Sequence, residues 1–300
     1  MVDGRRHTRT TRQLSPYVCA KLPGHRQMNP KISTVQIHKL TADGSATLPD
    51  QLVREEPLEI LLGTGTGASH RRESLAVTMR TPGDDFELAA GFLFTEGIMA
   101  GADDIVSIRF VDENRVLVDL RPALSIDFQQ FKRNFYATSS CGVCGKASLY
   151  AVQTVACFRP IPGEPKVSRT VIFDLPEKLR AAQAAFEATG GLHAAGLFDE
   201  NGRLVLLRED VGRHNAVDKV IGAALRGGLS MPLSRYILLV SGRAGFELVQ
   251  KASMAGIPML MAVGAPSSLS VELAEASGMT LVGFLRGAKF NVYARAERVI

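Results

Sequence analysis

Residues 236–240 read Tyr-Ile-Leu-Leu-Val, and the alternation that begins there sets the architecture. Ser241-Gly-Arg-Ala-Gly245 leads into a helix-compatible run from Phe246 to Ala255, and a second apolar run spans Pro258 to Val263. Gly264-Ala-Pro-Ser-Ser268 then opens a helical run ending at Ala276, and a third apolar run covers Thr280 to Phe284. Short apolar runs alternating with helices through Gly-rich turns predict parallel strands covered by helices, an α/β unit. In such sheets ligands bind beyond the carboxyl ends of the strands. Ser241-Gly242-Arg243, Gly264 to Ser268 with Ser267 inside it, and Phe284 to Lys289 therefore form three aligned strand ends. Small residues there let backbone N–H groups reach a phosphate, and Arg243, Arg286 and Lys289 add positive charge. The set points to an anionic, nucleotide-like ligand.

Upstream of this block, Val211 to Arg226 reads as a helix with Val217, Val220, Ile221 and Ala224 on one face. Asn201-Gly202 between Ala194–Phe198 and Arg203–Leu207 is a strong hairpin signal. Leu175 to Thr189 reads as one helix closed by Gly190-Gly191. The first part of the chain, 32–135, is strand-rich: Thr34–Leu40, Leu58–Leu62, Leu75–Met79, then Asp104–Phe110 and Arg115–Leu120 as a hairpin. One main helix, Phe86 to Thr95, starts after an acidic N-cap at Asp84-Asp85 and stops at Gly97. Gly63-Thr-Gly-Thr-Gly67 has phosphate-loop spacing but no helix after it, so it reads as a hairpin loop. The expectation is a smaller strand-rich α+β domain over 32–135, then an α/β domain over 136–300.

The chain has 300 residues, 46% hydrophobic and 22% charged, enough for a sizeable core. Its net charge of +5 is misleading as a sign of nucleic-acid binding. Residues 1–31 carry seven Lys/Arg against Asp3 alone, which leaves −1 on the remainder. That basic tail reads as disordered. Arg5-Arg6 lacks the apolar stretch a twin-arginine signal needs, and no apolar run reaches the ~20 residues that span a bilayer. Four cysteines, Cys19, Cys141, Cys144 and Cys157, do not make a secreted disulfide framework, which favours a reducing cytoplasm.

Cys141-Gly-Val-Cys144 comes after Thr138-Ser-Ser140 and precedes a helix-compatible run, Lys146 to Val155. Sulfurs at a helix start lie near free N–H groups and the positive end of the dipole, which favours the thiolate nucleophile. A structural zinc site needs four ligands, and no second close pair exists: His193 and His214 are 21 apart. A thioredoxin-type dithiol, sulfur or acyl carriage on one activated cysteine, and two inert buried thiols remain as readings. His214 lies in Arg208-Glu-Asp-Val-Gly-Arg-His-Asn215, either an elaborate helix cap or the rim of a site. His193, alone after Gly190-Gly191, is on its own terms more often structural.

Taken together, Cys141-Gly-Val-Cys144-Gly, Gly190-Gly-Leu-His193-Ala-Ala, Glu209-Asp-Val-Gly-Arg-His214-Asn-Ala-Val-Asp-Lys219, Ser241-Gly-Arg243 and Gly283-Phe-Leu-Arg286 through Asn291-Val-Tyr293 resemble the FdhD family over residues 32–300. These are sulfurtransferase accessory proteins of formate dehydrogenase. The resemblance implies a cytidine-deaminase-like mixed sheet covered by helices, and a homodimer. It implies that a cysteine desulfurase loads a persulfide on Cys141, with Cys144 as helper, and that the sulfur passes to molybdenum in the bis(molybdopterin guanine dinucleotide) cofactor before insertion into apo-formate dehydrogenase. Phe284, Leu285, Arg286, Gly287, Ala288 and Lys289 match the family's cofactor-binding segment, and Ser241, Gly242, Arg243, Ser267, His193 and His214 join them as candidates for the guanine nucleotide parts. Zinc is not carried over, because the His-x-Glu half of the deaminase signature is missing. The competing reading is a chaperone that only binds and delivers the cofactor.

Overall fold

The computed structural model describes residues 31–65, 70–122 and 158–300. The basic tail to residue 30, Cys19, Cys141, Cys144, Cys157 and the expected domain boundary at 135/136 lie outside the described residues.

The chain begins with a two-stranded antiparallel ribbon, β1 (Ile32–Thr41) and β2 (Gly44–Val53). Next come β3 (Glu56–Thr64), β4 (Arg71–Arg80), α1 (Asp85–Thr95), β5 (Ile105–Asp112) and β6 (Arg115–Leu120). These strands form a four-stranded sheet of order β4-β3-β6-β5, with β3 and β6 parallel and the outer pairs antiparallel. Strands β3 and β4 pair antiparallel up to Thr64 and Arg71, so the two form a hairpin, while Thr66 and Gly67 of the glycine-rich stretch lie outside the described residues.

The second half runs α2 (Arg169–Ala182), α3 (Ala184–Thr189), β7 (His193–Asp199), β8 (Leu204–Asp210), α4 (Arg213–Arg226), β9 (Tyr236–Val240), α5 (Phe246–Met254), β10 (Met259–Ala262), α6 (Ser268–Ser277), β11 (Thr280–Arg286) and β12 (Lys289–Ala294). One six-stranded sheet results, in the order β12-β11-β10-β9-β7-β8. The three apolar runs β9, β10 and β11 are its parallel centre; β12 pairs antiparallel with β11, β7 antiparallel with β9, and β8 antiparallel with β7. The fold is therefore mixed α+β. The central strands read as unbroken apolar runs because both faces are covered. Leu238, Val240 and Leu260 enter a core shared with α1, α4, α5 and the four-stranded sheet. Ile237, Leu239, Met259 and Met261 meet Ile172, Leu175 and Leu179 of α2 on the other face.

Several local expectations differ from what forms. The helix read as Leu175–Thr189 begins at Arg169, with the Ser168 hydroxyl accepting from the Val171 N–H at 3.3 Å, and breaks at Gln183 into α2 and α3. Asp84 precedes α1 but is no side-chain cap: it sits at φ 60° and its carboxylate meets Lys31 at 3.0 Å instead. Strands β2 and β12 form without a strand signal of the kind that marks the others. Gly202, at φ 73°, closes the β7–β8 hairpin where Asn-Gly predicted it.

Candidate functional site

Parallel strands of similar length deliver their carboxyl ends side by side, and hydrogen bonds between the loops lock them together. The Gly264 N–H donates to Gly242 O at 2.9 Å, Phe284 N–H to Gly264 O at 3.0 Å, and Ser267 N–H to Ala244 O at 3.2 Å. The approach is close enough that a Cβ at Gly264 would lie 2.9 Å from Gly242 O, and one at Gly283 2.7 Å from Pro266. Glycine here is a packing requirement of the cleft floor.

The structure brings Ser241, Gly242 and His193 together. Because β7 runs antiparallel to β9, its first residue meets the end of β9. The Ser241 hydroxyl accepts the Ala194 N–H at 2.9 Å, and the His193 ring packs over Gly242, where an added Cβ would lie 3.3 Å from Nδ1. His193 and Ser241 line a cavity of about 580 Å³ whose other walls include Leu179, Arg180, Gln183 and Phe186 from α2 and α3. That size and mixture of apolar wall with a few polar groups suit a small-molecule ligand. Burial, then the positive charges of Arg213 and His214, hold the His193 pKa below its ordinary value, with Asp210 opposing.

His214, in the first turn of α4, gives its Nε2 to the Glu247 carboxylate of α5 at 2.8 Å. The second Glu247 oxygen is buried without a hydrogen-bond partner among the described residues. The rest of the polar string around His214 is a cap. Glu209 accepts the N–H groups of Ala185 and Phe186 that open α3, at 3.1 and 2.8 Å. Asp210 is fully buried and takes the Lys219 ammonium at 2.7 Å together with the N–H groups of Thr81 and Gly212. Arg208 donates to Glu87 of α1 at 2.8 Å. The cap reading holds for 208–210, which bind the layers together, while His214 pairs with Glu247 where α4 meets α5.

The other candidates divide likewise. The β11–β12 turn exposes Arg286, Gly287, Ala288 and Lys289, while Phe284, at φ 53°, is 39% exposed at the cleft edge. Leu285 points into the core beneath α2 and so shapes the strand end from below. The Ser267 hydroxyl is committed to capping α6 through the Ser270 N–H at 3.3 Å. Arg243 is exposed and, with Arg213 and Lys289, has no acidic partner within ion-pair distance among the described residues. Sequence reasoning missed Glu247 and the α2–α3 wall of the cavity. An acid in a first helical turn is common for reasons of the dipole alone and carries no mark of function.

The fold and site thus define a mixed α/β protein with a cavity beside the ends of its parallel strands and the exposed cations Arg243, Arg286 and Lys289 on the loops there. The profile of the FdhD/NarQ family matches residues 53–300, and the chain belongs to this family. It is 55% identical over 272 residues to the sulfur carrier protein FdhD of Streptomyces avermitilis, covering 86% of this chain and 92% of that one. It is 56% identical over 269 residues to the protein of the same name from Streptomyces coelicolor, with the same coverage. A crystal structure described as a formate dehydrogenase accessory protein of Desulfotalea psychrophila superposes with a TM-score of 0.69 at 27% identity, covering 90% of this chain and all of that one. Its family is thus one of sulfur carrier proteins. Among the described residues no helix is long and apolar enough to cross a membrane.

Proposed function

We propose that the protein is a cytoplasmic, homodimeric sulfurtransferase that takes sulfur from a cysteine desulfurase as a persulfide on Cys141 and passes it to the molybdenum of the bis(molybdopterin guanine dinucleotide) cofactor destined for formate dehydrogenase. The reading is supported by family membership, by the Cys141-x-x-Cys144 pair, and most directly by the cleft in which Ser241, Gly242, His193 and the Phe284–Lys289 turn converge beside the cavity. The molybdenum cofactor is the cargo, with anionic nucleotide ends. Arg213, Arg243 and Lys289, unpaired among the described residues, with loop N–H groups between them, are the chemistry that holds such ends. On the sulfur side, a thiolate attacks the donor persulfide, the donor thiolate leaves, and the terminal sulfur stays on Cys141. Cys144 serves second, its thiolate taking the outer sulfur from the Cys141 persulfide by exchange and leaving Cys141 as the thiolate.

The chaperone reading differs in one observable. Incubation with a cysteine desulfurase and cysteine, then intact-mass measurement, is expected to show one sulfur atom added to the wild type and none to Cys141→Ala. Equal loading of the Cys141→Ala variant would remove the carrier role from that residue. Absence of loading on wild type, with the cofactor still bound, would leave delivery alone as the function.

A further inference from the structure

The sheet has a second polar concavity at its other end, where β11 begins. A pocket of about 180 Å³ lies between the last turn of α6 and the chain's final residues, and its lining includes Arg159, Arg295, Arg298 and Glu297. Seven residues of β11, about 20 Å of strand, separate this end from the strand-end cleft.

Arg298 is 1% exposed. It donates Nε to Glu164 O at 2.6 Å, Nη1 to the Thr280 hydroxyl at 3.1 Å and Nη2 to Ile161 O at 2.9 Å. All three acceptors are neutral. A guanidinium carries five N–H groups, so two remain without an acceptor among the described residues. No carboxylate lies within ion-pair distance of this buried charge in the described structure, an arrangement that costs free energy unless an anion compensates it. Burial and then the neighbouring Arg295 hold its pKa below the usual arginine value, with Glu297 and Glu164 partly opposing. Arg295 is itself tied to Glu275, through Nε to the carboxylate at 3.1 Å and Nη2 to the main-chain oxygen at 2.9 Å. Arg159 is exposed with no ion pair to a described residue, and the one carboxylate lining the pocket, Glu297, is exposed. Of the three guanidinium groups lining the pocket, Arg295 is paired with Glu275, while Arg159 and Arg298 have no ion pair among the described residues.

We propose that this pocket binds a tetrahedral oxyanion of the phosphate class. Guanidinium forks match such an anion in pairs: Arg159 brings an unpaired fork, Arg298 has two N–H groups without an acceptor among the described residues, and Arg295 adds charge beside them. The site is separate from the cofactor cleft and does not depend on the sulfur-carrier reading. Its role is to hold the C-terminal turn against α6 and the Arg159 segment, with the anion completing the charge that Arg298 lacks.

Calorimetric titration of inorganic phosphate into the full-length protein, in chloride buffer of matched ionic strength, tests this. Saturable binding with a raised melting temperature is expected, weakened at least tenfold in R159A/R295A and unchanged in R203A, an exposed arginine that lines neither pocket. Arg298→Lys, which keeps the charge but removes the fork, is expected to weaken binding while preserving the fold. The proposal is overturned if phosphate gives no saturable signal, if chloride gives the same one, or if R159A/R295A binds as tightly as R203A.

Discussion

His193 shows how much one side chain's surroundings decide. Its imidazole lies on Gly242 at the cavity wall, among groups that oppose a positive charge: low solvent access first, then Arg213 and His214. Asp210, across the β7–β8 ladder, pulls the other way, but its carboxylate is already bound to Lys219 at 2.7 Å. The neutral ring is therefore favoured, and near pH 7 it offers a hydrogen-bond acceptor to whatever occupies the cavity. The linkage has a definite sign. Unfolded, the ring protonates at about 6.5; folded, it does so lower, so its contribution to stability is present above 6.5 and is lost as pH falls through the folded value. An NMR titration is expected to place His193 below 6.5. In His214→Gln, where one repelling charge is gone, the midpoint moves up, and His193→Gln flattens the stability profile between pH 7 and 5. A wild-type midpoint at or above 6.5 would contradict this account.

At the scale of elements, the crossing of α1 and α4 is the tightest contact described. A Cβ at Gly91 would lie 1.8 Å from Asp218 O, and one at Gly222 would lie 1.9 Å from Glu87 O, so each helix carries a glycine where the other's backbone passes. Gly91→Ala or Gly222→Ala must separate two backbones, and either is expected to cost more than the ~1–3 kcal/mol of ordinary overpacking. Gly101→Ala, facing open space in extended backbone, is expected to be near neutral. Melting temperatures of the three variants decide it, and a Gly91→Ala protein as stable as Gly101→Ala would show that the crossing yields easily. In the sequence these glycines look like weak points of two helices, since their partner is 131 residues away. The β9 to β11 alternation was legible because strands buried on both faces stay apolar throughout and end at glycine and proline. Strand β2 was not, because it is exposed along most of its length and contains Pro49 and Asp50, so no burial pattern is written into it. The break at Gln183 has no glycine or proline to announce it, whereas Pro176, a usual breaker, sits inside α2. In the site, small residues at strand ends and His193 after two glycines could be found by position. Glu247 could not, since its meaning comes from His214 on another helix.

The whole molecule is held by layers that share one core, and this bears on how it unfolds. Helix α1 is contributed by the first half of the chain, yet it lies between the four-stranded sheet and α4, so Leu88, Leu93 and Phe94 belong to the same apolar cluster as Val220, Leu238 and Leu260. Buried polar ties cross the same boundary. The Lys251 ammonium reaches Asp218 at 2.9 Å and Glu96 of the first half at 3.2 Å, and the Lys219 ammonium donates to Thr81 O at 2.8 Å. Separating the halves would take Glu96 from Lys251 and the Thr81 carbonyl from Lys219, leaving each buried ammonium short of a partner, which is costlier than breaking an exposed pair such as Arg203–Asp199. Each half would also expose one side of the core, with no other surface among the described residues to cover it. Urea unfolding monitored by far-UV circular dichroism and by tyrosine fluorescence is therefore expected to give one coincident transition, and a fragment of residues 32–122 is expected to show no cooperative unfolding by itself. Two separated transitions, or a cooperatively folding fragment, would mean that the four-stranded sheet closes its own core and that α1 docks on α4 as a preformed unit.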